Sequence, residues 1–350
     1  LGYSNERVRS AVIAELERST FAGLVSGINQ PAVELAERLI DLVPGDWEKK
    51  VWYGLSGSDA SEAAHRLILR ATGKRRLVSF VGSWHGTTDV GLALSAHTTA
   101  TVSVGGGHVT KVPFPDPYRN PFGDGSGHVT DQCLNFLEHY LFRTICPPED
   151  VAAVFVEAVQ ADSGDVVPPP DFLPKLRALC DRHGLLLVVD EIKIGLGRTG
   201  RWFGYEHGGI VADVVLLGKS LGGGLSLSAV VGPRHIMDVG TGVALFTTVG
   251  NATACAAGLA TIDEIDRLGL VERSAENGRY LLDRLTERLS RYEIVGHLRG
   301  LGMIAGVELV KDRASKEPNQ PAAAKIVYRA FELGLIVYYA GNWGNVIEIT

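Results

Sequence analysis

The sequence predicts an α/β fold: a large domain built on a mostly parallel, doubly wound sheet, followed by a smaller α+β C-terminal domain. Short apolar runs at 151–156, 185–189 and 214–217 alternate with helical patterns, and such strand-helix-strand order implies parallel pairing. The 42 glycines in 350 residues suit many tight strand-to-helix turns. We expect residues 1–20 to belong to the N-terminal or small-domain region, 21–255 to form the large domain and 256–350 the small domain.

Composition argues against several classes of partner. The net charge of −6 and the 21% of charged residues show no basic patch of the kind that nucleic acid or an anionic membrane requires. No apolar run approaches the ~18 residues of a membrane span, and no signal peptide is visible. The four cysteines are scattered without metal-binding spacing, which is typical of free thiols in a reducing cytoplasm. We therefore expect a cytoplasmic protein with no metal site.

Helical patterns at 5–18 and 31–42 are expected to be structural, and a strand at 51–54 precedes the first candidate binding element. Asp59 with Glu62 three residues later resembles a capping box at the start of a helix that runs to about residue 72. Free N–H groups at such a helix start attract anions, so Gly57 and Ser58 could hold a phosphate. An ordinary capped helix is the alternative at this point.

An apolar strand at 77–81 leads into Trp84 and His85. An aromatic side chain at a strand end can stack on a flat heteroaromatic ring, which makes Trp84 a candidate binding residue. We expect His85 to be a hydrogen-bonded structural histidine. Residues 97–127, rich in Gly, Thr and Pro, predict loops of the kind that often line active sites.

The chemistry is expected around residues 185–230. One apolar run ends in Asp190 and another ends just before Lys219, and ligands of open α/β sheets bind beyond the carboxyl ends of the strands. A lysine there can form a Schiff base, and an aspartate can keep a pyridinium nitrogen protonated. The pair therefore suggests pyridoxal phosphate.

Two nucleotide-binding motifs nearby are set aside. Residues 195–200 fit G-x-G-x-x-G, but 201–205 (Arg-Trp-Phe-Gly-Tyr) would make a poor helix, and a dinucleotide site needs a helix there. Gly218-Lys219-Ser220 resembles a P-loop ending, but Asp213 occupies the position of the required glycine. Nucleotide binding is therefore not supported.

Residues 190–200, Asp213 and 217–225 together resemble the cofactor segment of class III aminotransferases. The resemblance extends over the chain and implies fold type I, pyridoxal phosphate bound to Lys219, and transfer of an amino group between an amino acid or amine and a 2-oxo acid. Family members continue beyond both ends of this sequence, so we expect it to be a fragment lacking both termini.

The resemblance also implies roles for individual residues. Gly57 and Ser58 would bind the cofactor phosphate, Trp84 would stack on the pyridine ring, and Ile192 would pack on the opposite face. Glu157 would support the cofactor from behind.

The segment 247–251 resembles the family's Thr-x-x-Gly-Asn loop, in which the threonine binds the cofactor phosphate of a neighbouring subunit. Thr247 would then act in the partner, and the enzyme would be a homodimer or a dimer-based oligomer. Ala158 and Ala252 stand where the family usually has proline, so the match is incomplete at these two positions.

One departure bears on the reaction. Glu348 occupies the position where many family transaminases carry an arginine that pairs with the substrate carboxylate, and a carboxylate there would repel that group. This feature, with residues 190–193, 113–119 and 337–339, is similar to the α-amino-ε-caprolactam racemase branch. Racemisation of an α-amino lactam or amino-acid amide is therefore the alternative to transamination. The alternative for Glu348 itself is that it is a surface strand residue without a role in substrate binding. A relative that binds the cofactor without catalysis is a further alternative, of another functional class.

Overall fold

The computed structural model describes residues 1–21, 23–98, 107–123 and 128–350. Up to residue 123 the elements are α1 (Glu6–Arg18), α2 (Gln30–Leu42), β1 (Lys49–Gly54), α3 (Gly57–Thr72), β2 (Arg76–Phe80), α4 (Asp89–Leu94) and β3 (Val109–Val112). From 128 to about 237 they are α5 (Val129–Asn135), which continues as a π-helix (Phe136–Leu141), β4 (Val151–Val156), α6 (Phe172–His183), β5 (Leu186–Asp190), β6 (Val214–Leu217), β7 (Ser228–Pro233) and α7 (Arg234–Met237). The remainder contains α8 (Ala252–Arg267), α9 (Leu270–Leu289), β8 (Val295–Gly300), β9 (Ala305–Leu309), α10 (Gln320–Glu332), β10 (Tyr338–Ala340) and β11 (Val346–Ile349).

The larger sheet has seven strands in the order β1-β7-β6-β5-β4-β2-β3. The pairs from β6 to β3 are parallel, whereas β7 runs antiparallel to both β6 and β1. Every residue of β4 and β6 is buried, as expected for central strands covered on both faces. The predicted α/β class with a mostly parallel sheet is confirmed.

The smaller sheet is antiparallel, with four strands in the order β10-β11-β9-β8. Its apolar residues form a separate core that includes Val295, Leu309 and Ile347. The helix α8 packs against α1 and α2, and the expected domain boundary at 255/256 falls within it. The domain limits therefore stay a prediction.

Local sequence explains several element boundaries. Asn29 caps α2 by accepting the N–H of Ala32, and Pro31 lies in the first turn, where a missing N–H costs nothing. Gly184 ends α6 in the left-handed conformation at φ 60°, which glycine adopts without strain. The turn after α6 thus delivers the chain directly into β5.

The structure corrects two local expectations. The cap of α3 is Ser56, whose side chain accepts the N–H of Asp59, so the predicted cap at Asp59 is wrong by one turn. Residues 109–112 form β3 within the stretch predicted to be loops, while 99–106 and 124–127 of that stretch lie outside the described residues. Residues 295–300 and 305–309 form the antiparallel pair β8 and β9, which a turn joins. Among the described residues, no helix combines the length and the hydropathy needed to cross a bilayer.

Candidate active site

Asp190 lies at the carboxyl end of β5 and is 4% exposed. Its Oδ2 is 2.8 Å from Nδ1 of His85, and its Oδ1 accepts the N–H of Ile192 at 3.0 Å. His85 is itself buried, so its partnership with Asp190 is shielded from water. Sequence reasoning treated His85 as structural only. The missed signal was its position just beyond the end of β2, at the same sheet edge as Asp190.

Lys219 follows β6, the strand next to β5, and begins a short 3-10 helix, Lys219–Gly222. Its φ of +43° lies in the left-handed region, where a side chain other than glycine is uncommon. Holding such a conformation costs about 1 kcal/mol or more, and such strain clusters at functional sites. The backbone is therefore held in an unusual conformation at the residue that carries the candidate amine.

A cavity of about 160 Å³ lies at this sheet edge. Seven residues that the sequence predicts for the site line it: Gly57, Ser58, Trp84, Glu157, Asp190, Ile192 and Lys219. The other lining residues are His85, Gly86, Asp162, Lys193 and Ile194. The eighth predicted residue, Thr247, is exposed and is not among the residues that line this cavity.

The start of α3 supplies one wall of the cavity. Its first helical hydrogen bond runs from the N–H of Ala60 to the carbonyl oxygen of Ser56, so the N–H groups of Gly57 and Ser58 precede the helical ladder. The side chain of Ser58 accepts the N–H of Thr87 at 3.0 Å and so links α3 to the loop after β2. Two free N–H groups at a helix start form a favourable environment for a phosphate.

Ile192 packs closely against two glycines, Gly57 and Gly218. A Cβ at Gly57 would lie 3.0 Å from Cδ1 of Ile192, and one at Gly218 would lie 3.2 Å from its Cγ2. Both contacts are tighter than side chains normally tolerate, so these backbone segments approach Ile192 only because they carry no side chain.

These groups fit pyridoxal phosphate. The cofactor needs an amine to attach to, a carboxylate for its ring nitrogen, an anion site for its phosphate and a flat slot for its ring. Lys219 and Asp190 provide the first two, the start of α3 provides the third, and Trp84 and Ile192 line the slot.

Glu157 follows β4 and is buried beneath the cavity. Its Oε2 accepts the backbone N–H of Trp84 at 3.1 Å. Burial, and next the charge of Asp190, raise the pKa of Glu157 well above its ordinary value. The carboxyl group therefore retains its proton more readily than an exposed glutamate while it fixes the position of Trp84.

Glu348 lies on β11 and is 1% exposed, so the alternative of a surface strand residue is wrong. Its Oε2 is 2.8 Å from Nζ of Lys193, and its Oε1 accepts the hydroxyl of Tyr338. Nζ of Lys193 also lies 3.1 Å from Oδ1 of Asp162. Although burial favours a neutral amine, the charges of Asp162 and Glu348 raise the pKa of Lys193 above its ordinary value. The charge of this cavity lysine is thus already matched by two carboxylates.

The sequence of the chain is similar to those of known proteins. The whole chain, residues 1–350, matches the class III aminotransferase family. It is 39% identical to the leucine/methionine racemase of Thermococcus litoralis, over 100% of this chain and 79% of that protein. It is 34% identical to the 5-aminovalerate aminotransferase of Pseudomonas putida, over 99% of this chain and 81% of that protein.

A solved structure agrees with the fold and the cofactor. An amine transaminase from an uncultivated Pseudomonas species, in its pyridoxal-phosphate-bound form, superimposes with a TM-score of 0.90 at 29% identity, over 99% of this chain and 82% of that one. The Asp190–Lys219 cavity, the mixed seven-stranded sheet and these matches lead to one conclusion: the chain belongs to the class III aminotransferase family of pyridoxal-phosphate-dependent enzymes.

Proposed function

We propose that this protein is a pyridoxal-phosphate-dependent aminotransferase that transfers an amino group between an amino acid or amine and a 2-oxo acid by way of Lys219. The observation that carries the proposal is the placement of Lys219 and Asp190 in one cavity, at the ends of two adjacent strands. Family membership supports the reaction class, because aminotransferases are among the similar proteins.

In the proposed reaction the cofactor and Lys219 have separate roles. When bound, pyridoxal phosphate accepts electrons from an attached amine and so acidifies the hydrogen on the Cα atom of that amine. Lys219, freed when substrate binds, is placed to take that proton as the general base.

Asp190 would hold a proton on the ring nitrogen of the cofactor. Its carboxylate is buried, and one oxygen is directed by the N–H of Ile192 while the other faces His85. A carboxylate with few ways to reorient is preorganised for one partner, which is how buried charges contribute most to catalysis. His85 would thus act as a positioning residue for Asp190.

Racemisation is the second candidate, and the Lys193–Glu348 pair favours it. A transaminase that binds amino acids gains from a free cation that can pair with the substrate carboxylate. In the described part of this cavity, Lys193 is already paired with Glu348 and Asp162, and Lys219 is the proposed base. A substrate without a free carboxylate, such as an α-amino lactam or amino-acid amide, would not need such a cation. The similarity to the Thermococcus racemase supports the same reaction type on amino acids.

One experiment separates the candidates. The purified protein, loaded with pyridoxal phosphate in deuterated water, is given single enantiomers of an α-amino lactam, leucine and alanine, without any keto acid. Turnover that stops after one equivalent and resumes with a keto acid supports transamination. Continuous formation of a deuterated racemate replaces it with racemisation. If the wild-type protein shows neither reaction and lacks a visible cofactor band that Lys219→Ala would lose, the catalytic proposal fails.

The proposal includes a homodimer in the cytoplasm. Near Thr247, an apolar groove of about 420 Å³ is lined by exposed side chains that include Val25, Ile28 and Leu245. A second copy of the chain would cover this face and bring Thr247 to the partner's cofactor site. Light scattering of the purified protein tests the dimer, and Thr247→Ala should weaken cofactor binding. The four free cysteines agree with a reducing compartment.

A further inference from the structure

Lys111, on β3, is a half-buried lysine that makes no ion pair with any of the described residues. Its Nζ instead lies 2.8 Å from Oγ of Ser79. It also donates to three carbonyl oxygens, those of Ala93 at 2.5 Å, Leu94 at 2.6 Å and Ser95 at 3.0 Å. Removing the ammonium group of a lysine from water costs free energy unless its hydrogen-bond partners compensate for the lost hydration.

The three carbonyls mark the end of α4. The last carbonyl groups of a helix have no partner within the helix, and together they carry a partial negative charge. The side chain of Leu94 is fully buried, so water has limited access to this helix end. The ammonium group of Lys111 therefore caps α4 with a positive charge. The hydroxyls of Ser79 and Ser83 also donate to the carbonyl of Leu94.

The end of α4 in turn holds the segment that enters the cofactor cavity. Oγ of Ser95 accepts the N–H of His85 at 2.7 Å. Two backbone hydrogen bonds join the same two segments. The N–H of Gly82 donates to the carbonyl of Ala96, and the N–H of Ala96 donates to the carbonyl of Ser83, both at 2.9 Å. Any shift of residues 93–96 would move residues 82–86, which include Trp84 and His85.

We propose that Lys111 is a positioning residue for the cofactor: by capping α4 it fixes the Trp84–His85 segment, and through His85 it fixes Asp190. This inference rests on the proposed place of the cofactor between Trp84 and Asp190. Lys111 is not a lining residue of that cavity, so its effect is indirect.

The surroundings make this contact sensitive to pH. Burial lowers the pKa of Lys111 to about 7. Among the described residues, the ionisable groups near it include His108, in the turn just before β3, and His65 on α3, which faces His108. Burial, and next the charge of Lys111, lower the pKa of His108. As pH rises through about 7, Lys111 loses its charge and one hydrogen, so the hold on α4 weakens.

The test compares Lys111→Met, which keeps the length but removes all donors, with Lys111→Arg, which stays charged at every accessible pH. Lys74→Met is the matched control, since Lys74 also donates to backbone carbonyls, those of Val151 and Gly184. The readouts are the dissociation constant of pyridoxal phosphate and the visible spectrum of the bound cofactor, both followed across the pH range around 7.

Lys111→Met is expected to weaken cofactor binding about tenfold and to alter the spectrum, because hydrogen bonds to a charged group are lost. Lys111→Arg should restore most of the affinity and flatten its pH dependence, and Lys74→Met should match the wild type. The proposal is overturned if Lys111→Met binds the cofactor with wild-type affinity and spectrum. If Lys111→Met does not fold, Lys111→Arg decides the question. The proposal is then overturned if the dissociation constant of pyridoxal phosphate depends on pH in Lys111→Arg as it does in the wild type. Loss of the cofactor band in Lys219→Ala shows separately that the site itself is correctly placed.

Discussion

The two walls of the cavity are built in different ways. The cofactor wall, with Asp190 and Lys219, comes from neighbouring strands of one parallel sheet and contains a buried carboxylate paired with a histidine. The other wall, here called the substrate wall, is Lys193 with its partners: Lys193 follows β5 and lines the cavity, and it contacts Glu348 and Tyr338 of the small sheet, which lie behind it. If the first arrangement carries the reaction and the second selects the substrate, as we propose, then a change in one wall should leave the function of the other intact.

The strongest test of this comparison removes the amine from the cofactor wall. Lys219→Ala should lower kcat/KM by about 1000-fold or more, because the variant loses both covalent attachment and the general base. Steady-state kinetics and the visible spectrum provide the measurement. Lys311→Ala is the control, since Lys311 forms an exposed pair with Glu317. Turnover within tenfold of the wild type would show that another group carries the chemistry.

A smaller but still large effect is expected from the carboxylate of the same wall. Asp190→Asn keeps the size of the side chain but removes its charge, and we expect kcat to fall about 100-fold, in the range for loss of one preorganised electrostatic contact. The substrate KM should change much less, because Asp190 faces the cofactor. A variant that raised KM and kept kcat would place Asp190 on the substrate side and contradict the division into two walls.

The substrate wall should respond differently. Among the described residues, Glu348→Gln leaves Lys193 with one carboxylate ion-pair partner, Asp162. We expect the free energy of unfolding to fall by about 2 kcal/mol, together with a changed substrate preference. The cofactor spectrum should stay that of the wild type. Denaturant unfolding and a panel of amino acids and amides measure the two effects, with the exposed Glu317→Gln as control. Loss of the cofactor from Glu348→Gln would show that the two walls are coupled.

The smallest expected effect is on the loss of folding stability at acid pH. Burial, and next the charge of His108, lower the pKa of His65 on α3 from 6.5 to about 4. Between these values the unfolded chain binds more protons than the folded one, so stability falls as pH decreases from 6.5 to 4. His65→Phe should make this fall shallower in unfolding experiments, whereas a change at the exposed His235 should not. An unchanged slope would exclude His65 as a source of the acid sensitivity.

The sequence predicted the cofactor wall better than the substrate wall, for a physical reason. Asp190 and Lys219 each follow an apolar strand, and parallel strands bring their carboxyl ends to one edge, so local patterns were enough to place both. The parallel core was predicted for the same reason. The pairing of His85 with Asp190 was missed, although the strand-end position of His85 was visible.

The Lys193–Glu348 contact could not be derived in this way. The two residues are separated by 155 positions. Lys193 lies in the turn after β5 of the large sheet and Glu348 lies on β11 of the small sheet, so their approach depends on how the small sheet packs against the large one. Likewise, β3 is a four-residue edge strand in a stretch rich in Gly, Thr and Pro, and short edge strands carry little periodic signal. The cap of α3 was misplaced because Ser56 and Asp59 are both good capping residues, and only the backbone geometry distinguishes them.

The contact of Ile192 with Gly57 and Gly218 has an evolutionary consequence. Since one side chain packs against both glycines, a Cβ at either position would press on Ile192, and the three positions are coupled. We expect lineages with alanine at 57 or 218 to favour a smaller residue at 192, and lineages with isoleucine to favour both glycines. Aligned sequences of the family should therefore show coordinated substitution among these three positions, although they are far apart in the chain.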